Sequence, residues 1–296
     1  MRLFVTGVTG FVGRAFCRAA LGHGHQVLGL CRDMDARIPE RCRPAWGTLE
    51  EVPWKEIENF SPDVALHLAW IATPGVYLTS PDNILLLEQS RRLLRGLMDR
   101  GLKYIAGVGT CIEYASSAKP LNEIQSLSDP QFPYSRAKDQ LFRWLRDEAT
   151  ARAIEWTWFR LFYPYGPGEH SSRLPTNIIR NVQQGQHVVL ETPHSRKDYI
   201  YISDLADALC RGIQARISGP VNVGSGNDCS IQHLAQTIVS LLGASSDLIR
   251  VAEILGRDPN PVVVADISKL RTTGWKPATT LDDGLQKLID SFRGSV

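Results

Sequence analysis

Tyr134 and Lys138 stand four residues apart in the run Pro-Tyr-Ser-Arg-Ala-Lys, so a helix carries both on one face. A phenol alone is too weak an acid or base to move protons near neutral pH. A neighbouring ammonium stabilises the phenolate and lowers its pKa, which fits the pair for general acid–base chemistry. Twenty-four residues before Tyr134, Thr110 offers a hydroxyl that can orient a reacting carbonyl or alcohol. On its own, a Tyr-x-x-x-Lys pair also describes a solvated helix face. The threonine of Gly-Val-Gly-Thr-Cys-Ile-Glu-Tyr (107–114) is what turns the pair into a catalytic candidate.

A second group of such residues opens the chain. Gly7, Gly10 and Gly13 follow the apolar run Leu3-Phe4-Val5 and precede Phe11, Ala15, Phe16, Ala19 and Ala20 at helical spacing. A strand–turn–helix with such glycines cradles phosphate. One glycine permits a left-handed turn, one admits a pyrophosphate close to the main chain, and one lets helix and strand pack. The amides at the helix start, on Phe11, Val12 and Gly13, face the anion together with the positive end of the dipole. The spacing is G-x-x-G-x-x-G, one residue longer than the dinucleotide fingerprint. No Lys-Ser/Thr follows, which argues against a P-loop. With a dinucleotide in place, Thr110, Tyr134 and Lys138 suit hydride transfer, and Lys138 can also hold the nicotinamide ribose.

The strand Gln26–Leu30 ends about twenty residues after that turn, where an acid holds the ribose 2′-hydroxyl of NAD. Cys31 occupies the place and Arg32 follows. Without the carboxylate a 2′-phosphate is no longer repelled, and the guanidinium can pair with it. NADP is therefore the expected cofactor. NAD is the alternative, with Asp33 as ribose acid and Arg32 as a solvated loop charge.

Bringing these groups together requires a sheet whose strand ends meet. Strand-like runs at Pro44–Gly47, Asp63–Leu68, Tyr104–Val108 and Trp156–Phe162 alternate with helical patterns, notably Pro81–Arg100 and Pro133–Ala153. Continuous apolar strands in such alternation describe a parallel sheet covered on both faces, with ligands beyond the strand C-termini at the switch point. Gly- and Pro-rich loops (Tyr163–Pro175, Glu191–Lys197, Gly219–Asp228) interrupt the second half, as in a smaller lobe closing over a substrate. Val221-Asn222-Val223 returns to the sheet. The expected fold is α/β, a Rossmann-type doubly wound parallel sheet with a smaller C-terminal substrate-binding lobe. The dinucleotide domain takes residues 1–165, with a return at about 197–225, and the lobe takes 166–196 and 226–296.

The whole composition narrows the class. A net charge of +2 with 22% charged residues leaves no nucleic-acid or membrane-surface footprint. Cys17, Cys31, Cys42, Cys111, Cys210 and Cys229 include no C-x-x-C pair, so neither a metal site nor a disulfide framework is expected, and the cytoplasm is the expected location. No apolar run approaches the roughly eighteen residues of a membrane span. The turn at Gly7 leaves no room for a signal peptide.

With these motifs in order, the chain resembles the extended short-chain dehydrogenase/reductases, in their nucleotide-sugar epimerase/dehydratase/reductase branch. The resemblance runs through "TGVTGFVG" at the start, "DVALHLAW" at 63–70, "YSRAK" at 134–138 and "RLFYPYGPGE" at 160–169. It continues through "RKDYIYISDLADAL" at 196–209, "VNVGSG" at 221–226 and "ADISKLRTTGWKP" at 265–277. It implies Thr110, Tyr134 and Lys138 as the catalytic trio, cofactor contacts at the glycine turn and at Leu68-Ala69, and a nucleoside-diphosphate sugar as substrate. It also implies a homodimer through the helices near 81–100 and 133–153.

Departures from the family pattern refine this. The family's 4,6-dehydratases carry Asp-Glu directly after the threonine; Cys111-Ile112 stands there, which disfavours elimination of water. An asparagine that commonly meets the substrate diphosphate is replaced by Tyr163. Arg196 and Lys197 are the basic residues of the R-D-(F/Y) motif, and the stretch Ser172-Arg173-Leu174-Pro175 looks like the segment that meets nucleotide and pyrophosphate. Arg173 is the best single anion clamp there, with a surface ion pair as its plain alternative. Cys111 reads as a small residue packed behind the site, or as the acid/base of a 3,5-epimerisation. Glu113 and His170 read as local structure. The expected reaction is reduction of a 4-keto-6-deoxy sugar with NADPH, with 4-epimerisation next and a non-catalytic cofactor sensor last.

Overall fold

The computed structural model describes residues 1–293. In its first half the elements are β1 (Arg2–Thr6), α1 (Phe11–Gly22), β2 (Gln26–Cys31), β3 (Arg43–Trp46), α2 (Trp54–Phe60), β4 (Val64–His67) and α3 (Asp82–Asp99). Next come β5 (Tyr104–Thr110), α4 (Pro133–Ala151), β6 (Glu155–Leu161), β7 (Tyr163–Tyr165), α5 (Leu174–Gln183), β8 (Val188–Leu190), β9 (Arg196–Lys197) and β10 (Tyr199–Tyr201). The last are α6 (Ile202–Gln214), β11 (Gly219–Val223), β12 (Cys229–Ser230), α7 (Ile231–Leu242), β13 (Ile249–Val251), β14 (Val262–Val263), α8 (Ser268–Arg271) and α9 (Leu281–Arg293).

Seven parallel strands make the central sheet in the order β3-β2-β1-β4-β5-β6-β11. Leu3, Phe4 and Val5 are apolar on both faces of β1, which is the pattern of a strand covered from both sides. The strand order reverses between β1 and β4, and this puts the ends of β1, β4 and β5 around one crevice. β5 runs on to Thr110, two residues past the expected end, and so carries the threonine hydroxyl to that crevice. Pro133 at the first turn starts α4, and Ser135 Oγ accepts the Phe132 N–H at 3.1 Å. That helix stops at Ala151 rather than Ala153, because Ala153 takes a left-handed φ of 51°.

One face of the sheet packs on α1 and α6, the other on α2, α3 and α4. A third core, from α5, α7, α9 and β8, stands apart as the smaller lobe. The segment that sequence reasoning gives to this lobe divides its packing. Val263, Ala265, Ile267, Leu270 and Trp275 belong to the core on the α1/α6 side of the sheet instead. Short pairings join the halves: β7 with β10, and β9 between β12 and β14.

Candidate active site

The glycine turn after β1 is shaped by close approach. Gly7 has a φ of +74°, and a Cβ there would lie 2.8 Å from the Ala69 nitrogen at the end of β4. A Cβ on Gly13 would come within 2.0 Å of the Gly7 carbonyl, so this glycine sets the helix–strand distance. Gly10 donates its N–H to Gly7 O at 3.0 Å. No side chain caps α1 and its first turn holds no acid, which leaves the amides of Phe11, Val12 and Gly13 to an anion. A pyrophosphate fits this cradle.

Behind the turn lies a closed polar chain that sequence reasoning missed. Ser90 Oγ donates to Leu86 O at 2.6 Å, so His67 Nε2–H donates to Ser90 Oγ at 2.8 Å. His67 Nδ1 then accepts the Thr6 hydroxyl at 2.9 Å. Thr6 Oγ1 in turn accepts the amides of Leu68 and Ala69 at 3.2 and 3.0 Å. The network assigns a neutral, Nε2-protonated imidazole. Burial, with the Lys138 charge second, pulls the His67 pKa down to about 3. Since Thr6 engages both amides, only carbonyls and side chains of Leu68 and Ala69 remain to face a ligand. The histidine is visible in "DVALHLAW", but nothing local marks its distant partners.

At the end of β2, Cys31 is buried and Arg32 is exposed with no ion pair or hydrogen bond among the described residues. Asp33 Oδ1 accepts the Asp35 amide at 2.9 Å, a local turn.

β5 and α4, which carry the three residues, pack against each other. β5 delivers Thr110, whose amide donates to Glu113 Oε1 at 2.8 Å. α4 delivers Tyr134 and Lys138. The Tyr134 ring meets Tyr77 edge-on at 4.8 Å and Trp70 at 6.5 Å. Lys138 Nζ donates to Val108 O at 2.9 Å and lies 3.9 Å over the Trp70 ring. Burial holds the Tyr134 phenol well above its ordinary value, with Tyr77, Glu113 and Cys111 adding and Arg173 opposing. Burial likewise pulls Lys138 down to about 7 against the pull of Glu113. Burial thus favours the neutral phenol, the form that can donate a proton.

Glu113 is structural, as read. Fully buried, it accepts from Arg160 Nε at 2.7 Å and Trp158 Nε1 at 3.1 Å. Glycine makes room for it: a Cβ on Gly109 would lie 2.1 Å from Glu113 Oε1. Cys111 beside it is buried, and desolvation pushes its thiol up to about 12, which suits packing and not proton transfer.

The substrate candidates separate. Tyr163 lies half-buried at the start of β7, its phenol raised by burial and by Cys111. Lys197 is buried 5.5 Å over the Tyr163 ring and is paired with Asp258 at 2.7 Å and with the Asn260 carbonyl. Arg196 is exposed and paired with Asp228. Both therefore already own a carboxylate. Arg173, at the start of α5, has no ion pair among the described residues, and its charge bears on Tyr77, Tyr134 and the Glu169 carboxyl. Leu174 packs against the third core. His170 bonds Ser172 Oγ at 2.8 Å and is local structure.

The family described as Epimerase, NAD dependent epimerase/dehydratase family, matches residues 3–224. UDP-glucuronic acid decarboxylase 1 of Xenopus tropicalis is 26% identical over 99% of this chain and 72% of its own length. The dTDP-4-dehydro-6-deoxyglucose reductase of Escherichia coli is 26% identical over 61% of this chain and 58% of its own. Among solved structures, UDP-glucose 4-epimerase of Thermus thermophilus in complex with NAD superposes with a TM-score of 0.86 at 22% identity, with 100% of both chains covered. That likeness shows the fold.

Proposed function

Because the chain belongs to the NAD dependent epimerase/dehydratase family, we propose that it is a nucleotide-sugar 4-ketoreductase. Its substrate is a 4-keto-6-deoxy sugar on a nucleoside diphosphate, and its reductant is NADPH. The surroundings of Thr110 carry this reading. Elimination of water needs an acid and a base beside the trio. Cys111 is a buried, weakly acidic thiol, Ile112 is inert, and Glu113 is locked to Arg160. What remains is Thr110, Tyr134 and Lys138, which suffice for a ketone. The Escherichia coli reductase relative supports the sugar class.

The glycine cradle fits a dinucleotide, held by Gly7, Gly10, Phe11, Val12 and Gly13 at the pyrophosphate, with Leu68 and Ala69 alongside. When bound, the nicotinamide supplies the hydride. Arg32, free at the rim among the described residues, pairs with the 2′-phosphate, and Lys138 holds the nicotinamide ribose. Thr110 aligns the sugar carbonyl, and neutral Tyr134 gives its proton to the oxygen that becomes the hydroxyl. Arg173 receives the substrate diphosphate, next to Tyr163 and Leu174. Ile84 and Leu85, exposed on α3, support a homodimer through α3 and α4. Six free, buried cysteines support a cytoplasmic enzyme.

The test follows NADPH absorbance and product mass with a nucleotide-linked 4-keto-6-deoxy sugar. Stoichiometric NADPH loss is expected, with a product two hydrogens heavier. Tyr134→Phe should cost about 100- to 10,000-fold in turnover and leave NADPH binding nearly intact. With the 4-hydroxy nucleotide sugar offered instead, isomerisation at C4 without net NADPH loss would make the protein a 4-epimerase, and loss of water would overturn the reading of Cys111. Retained turnover in Tyr134→Phe would move the active site elsewhere.

A further inference from the structure

Lys138 poses a problem of charge balance. Its ammonium is enclosed, and a buried cation needs a compensating partner. Each group facing it is already engaged or neutral. Glu113, on the turn after β5, is bound to Arg160 of β6 at 2.7 Å. His67, at the end of β4, is a neutral imidazole inside the Thr6–His67–Ser90 chain. Tyr134, one turn back on α4, is a neutral phenol. The Val108 carbonyl takes one of the three ammonium protons at 2.9 Å. What lies on the remaining side is the indole of Trp70, with Nζ 3.9 Å from the ring centre. At that distance the negative face of the ring attracts the cation, most strongly where water is excluded.

The indole is itself fixed. Its Nε1–H donates to Asn83 Oδ1 at 2.8 Å, and Asn83, fully buried at the start of α3, donates to the carbonyls of Tyr77 and Ser80, both at 2.8 Å. Every polar atom of that amide is used, so its orientation is set by the network. The same loop reaches the second reacting residue: Tyr77 packs edge-on against Tyr134, and the Tyr134 amide donates to Leu78 O at 3.1 Å.

We propose that Trp70 is the positioning residue of Lys138: its indole face holds the ammonium charged and aims it, and Asn83 holds the indole. With one proton on Val108 and one directed at the ring, a single N–H is left for the ribose of the cofactor. The aim of that proton is thus set by two groups outside the trio. The inference rests on the reading of Lys138 as part of the active centre, but its physical content stands without turnover.

The test is a titration of Lys138 by NMR in protein carrying isotope-labelled lysine, with the Lys138 resonance identified by its loss in Lys138→Met. In Trp70→Leu, which keeps an apolar side chain and removes the ring, the Lys138 midpoint should fall by about one pH unit. Trp70→Phe restores a weaker ring without the Asn83 anchor, so its midpoint should lie between those of Trp70→Leu and the wild type. Asn83→Ala should also lower it. An unchanged or raised midpoint in Trp70→Leu overturns the proposal; where that variant fails to fold, a midpoint in Trp70→Phe at or above wild type does so. No sugar enters the measurement. A wrong assignment of the reaction therefore appears only in the NADPH assay, and a wrong assignment of Trp70 only here.

Discussion

At the glycine-turn end of the cleft most polar groups are uncharged: main-chain amides of α1, the Thr6 hydroxyl, the His67 imidazole and the Ser90 hydroxyl, with the Arg14 guanidinium held on the carbonyls of Thr9 and Gly168. At the lobe end they are ions, and several are already matched. Lys197 is paired with Asp258, 61 residues away, and Arg196 with Asp228, 32 residues away. Between them Glu113 and Arg160 form a fully enclosed pair under Thr110. The first end presents a fixed backbone to a ligand that brings its own charge. The second end makes an incoming anion compete with resident carboxylates, so selectivity there depends on a cation outside any ion pair. Among the described residues Arg173 is such a cation, although its charge also bears on the Glu169 carboxyl.

This contrast can be broken at its middle. Glu113→Gln leaves Arg160 buried beside a neutral amide, and should cost about 3–5 kcal/mol of stability in urea unfolding. A loss under about 1 kcal/mol would mean that the pair is not a shared foundation for both ends. The neutral end is next. The folded His67 pKa of about 3 lies below the ordinary 6.5, so the unfolded chain takes up a proton that the folded one refuses. Its contribution is complete above about pH 6.5 and falls at about 1.4 kcal/mol per pH unit towards the folded value, roughly 3 kcal/mol by pH 4. His67→Gln should flatten that part of the stability profile. An equal slope in both proteins would assign the acid sensitivity to other groups.

Cofactor choice sharpens the contrast at the rim. Arg32→Asp should reverse a preference for NADPH over NADH by about 2 kcal/mol, read by fluorescence titration. A wild type that prefers NADH would remove Arg32 from that role. The smallest effect is expected at the exposed ion pair. Arg196→Ala should change stability by less than about 1 kcal/mol, since Arg196 and Asp228 sit in water's reach. A larger loss would show that the lobe end relies on its surface pairs.

Much of the sheet was legible because strands and the glycine turn are written in local spacing. Leu3-Phe4-Val5 before Gly7 and Tyr134 four residues before Lys138 are backbone signals, and the backbone obeyed them. What sequence did not disclose are pairings between distant segments. Nothing near His67 announces Thr6 or Ser90, and nothing near Lys197 announces Asp258. The enclosure of Tyr134 was hidden for a related reason. Spacing reports the ammonium one turn away, but desolvation depends on Tyr77, Trp70 and the rest of the enclosing wall. The return of Val263–Trp275 to the sheet core was hidden too, since an apolar run does not say which of two cores it joins.

Asp198 has a mechanical consequence. Its carboxylate accepts the amides of Ser225 at 2.7 Å, Gly226 at 3.0 Å and Ala265 at 3.1 Å, together with the Ser225 hydroxyl at 2.7 Å. Three chain crossings between sheet and lobe are thereby riveted at one point. Those segments cannot shift past one another without breaking bonds to one buried carboxylate, and Lys197, next to it in the chain, is held with them.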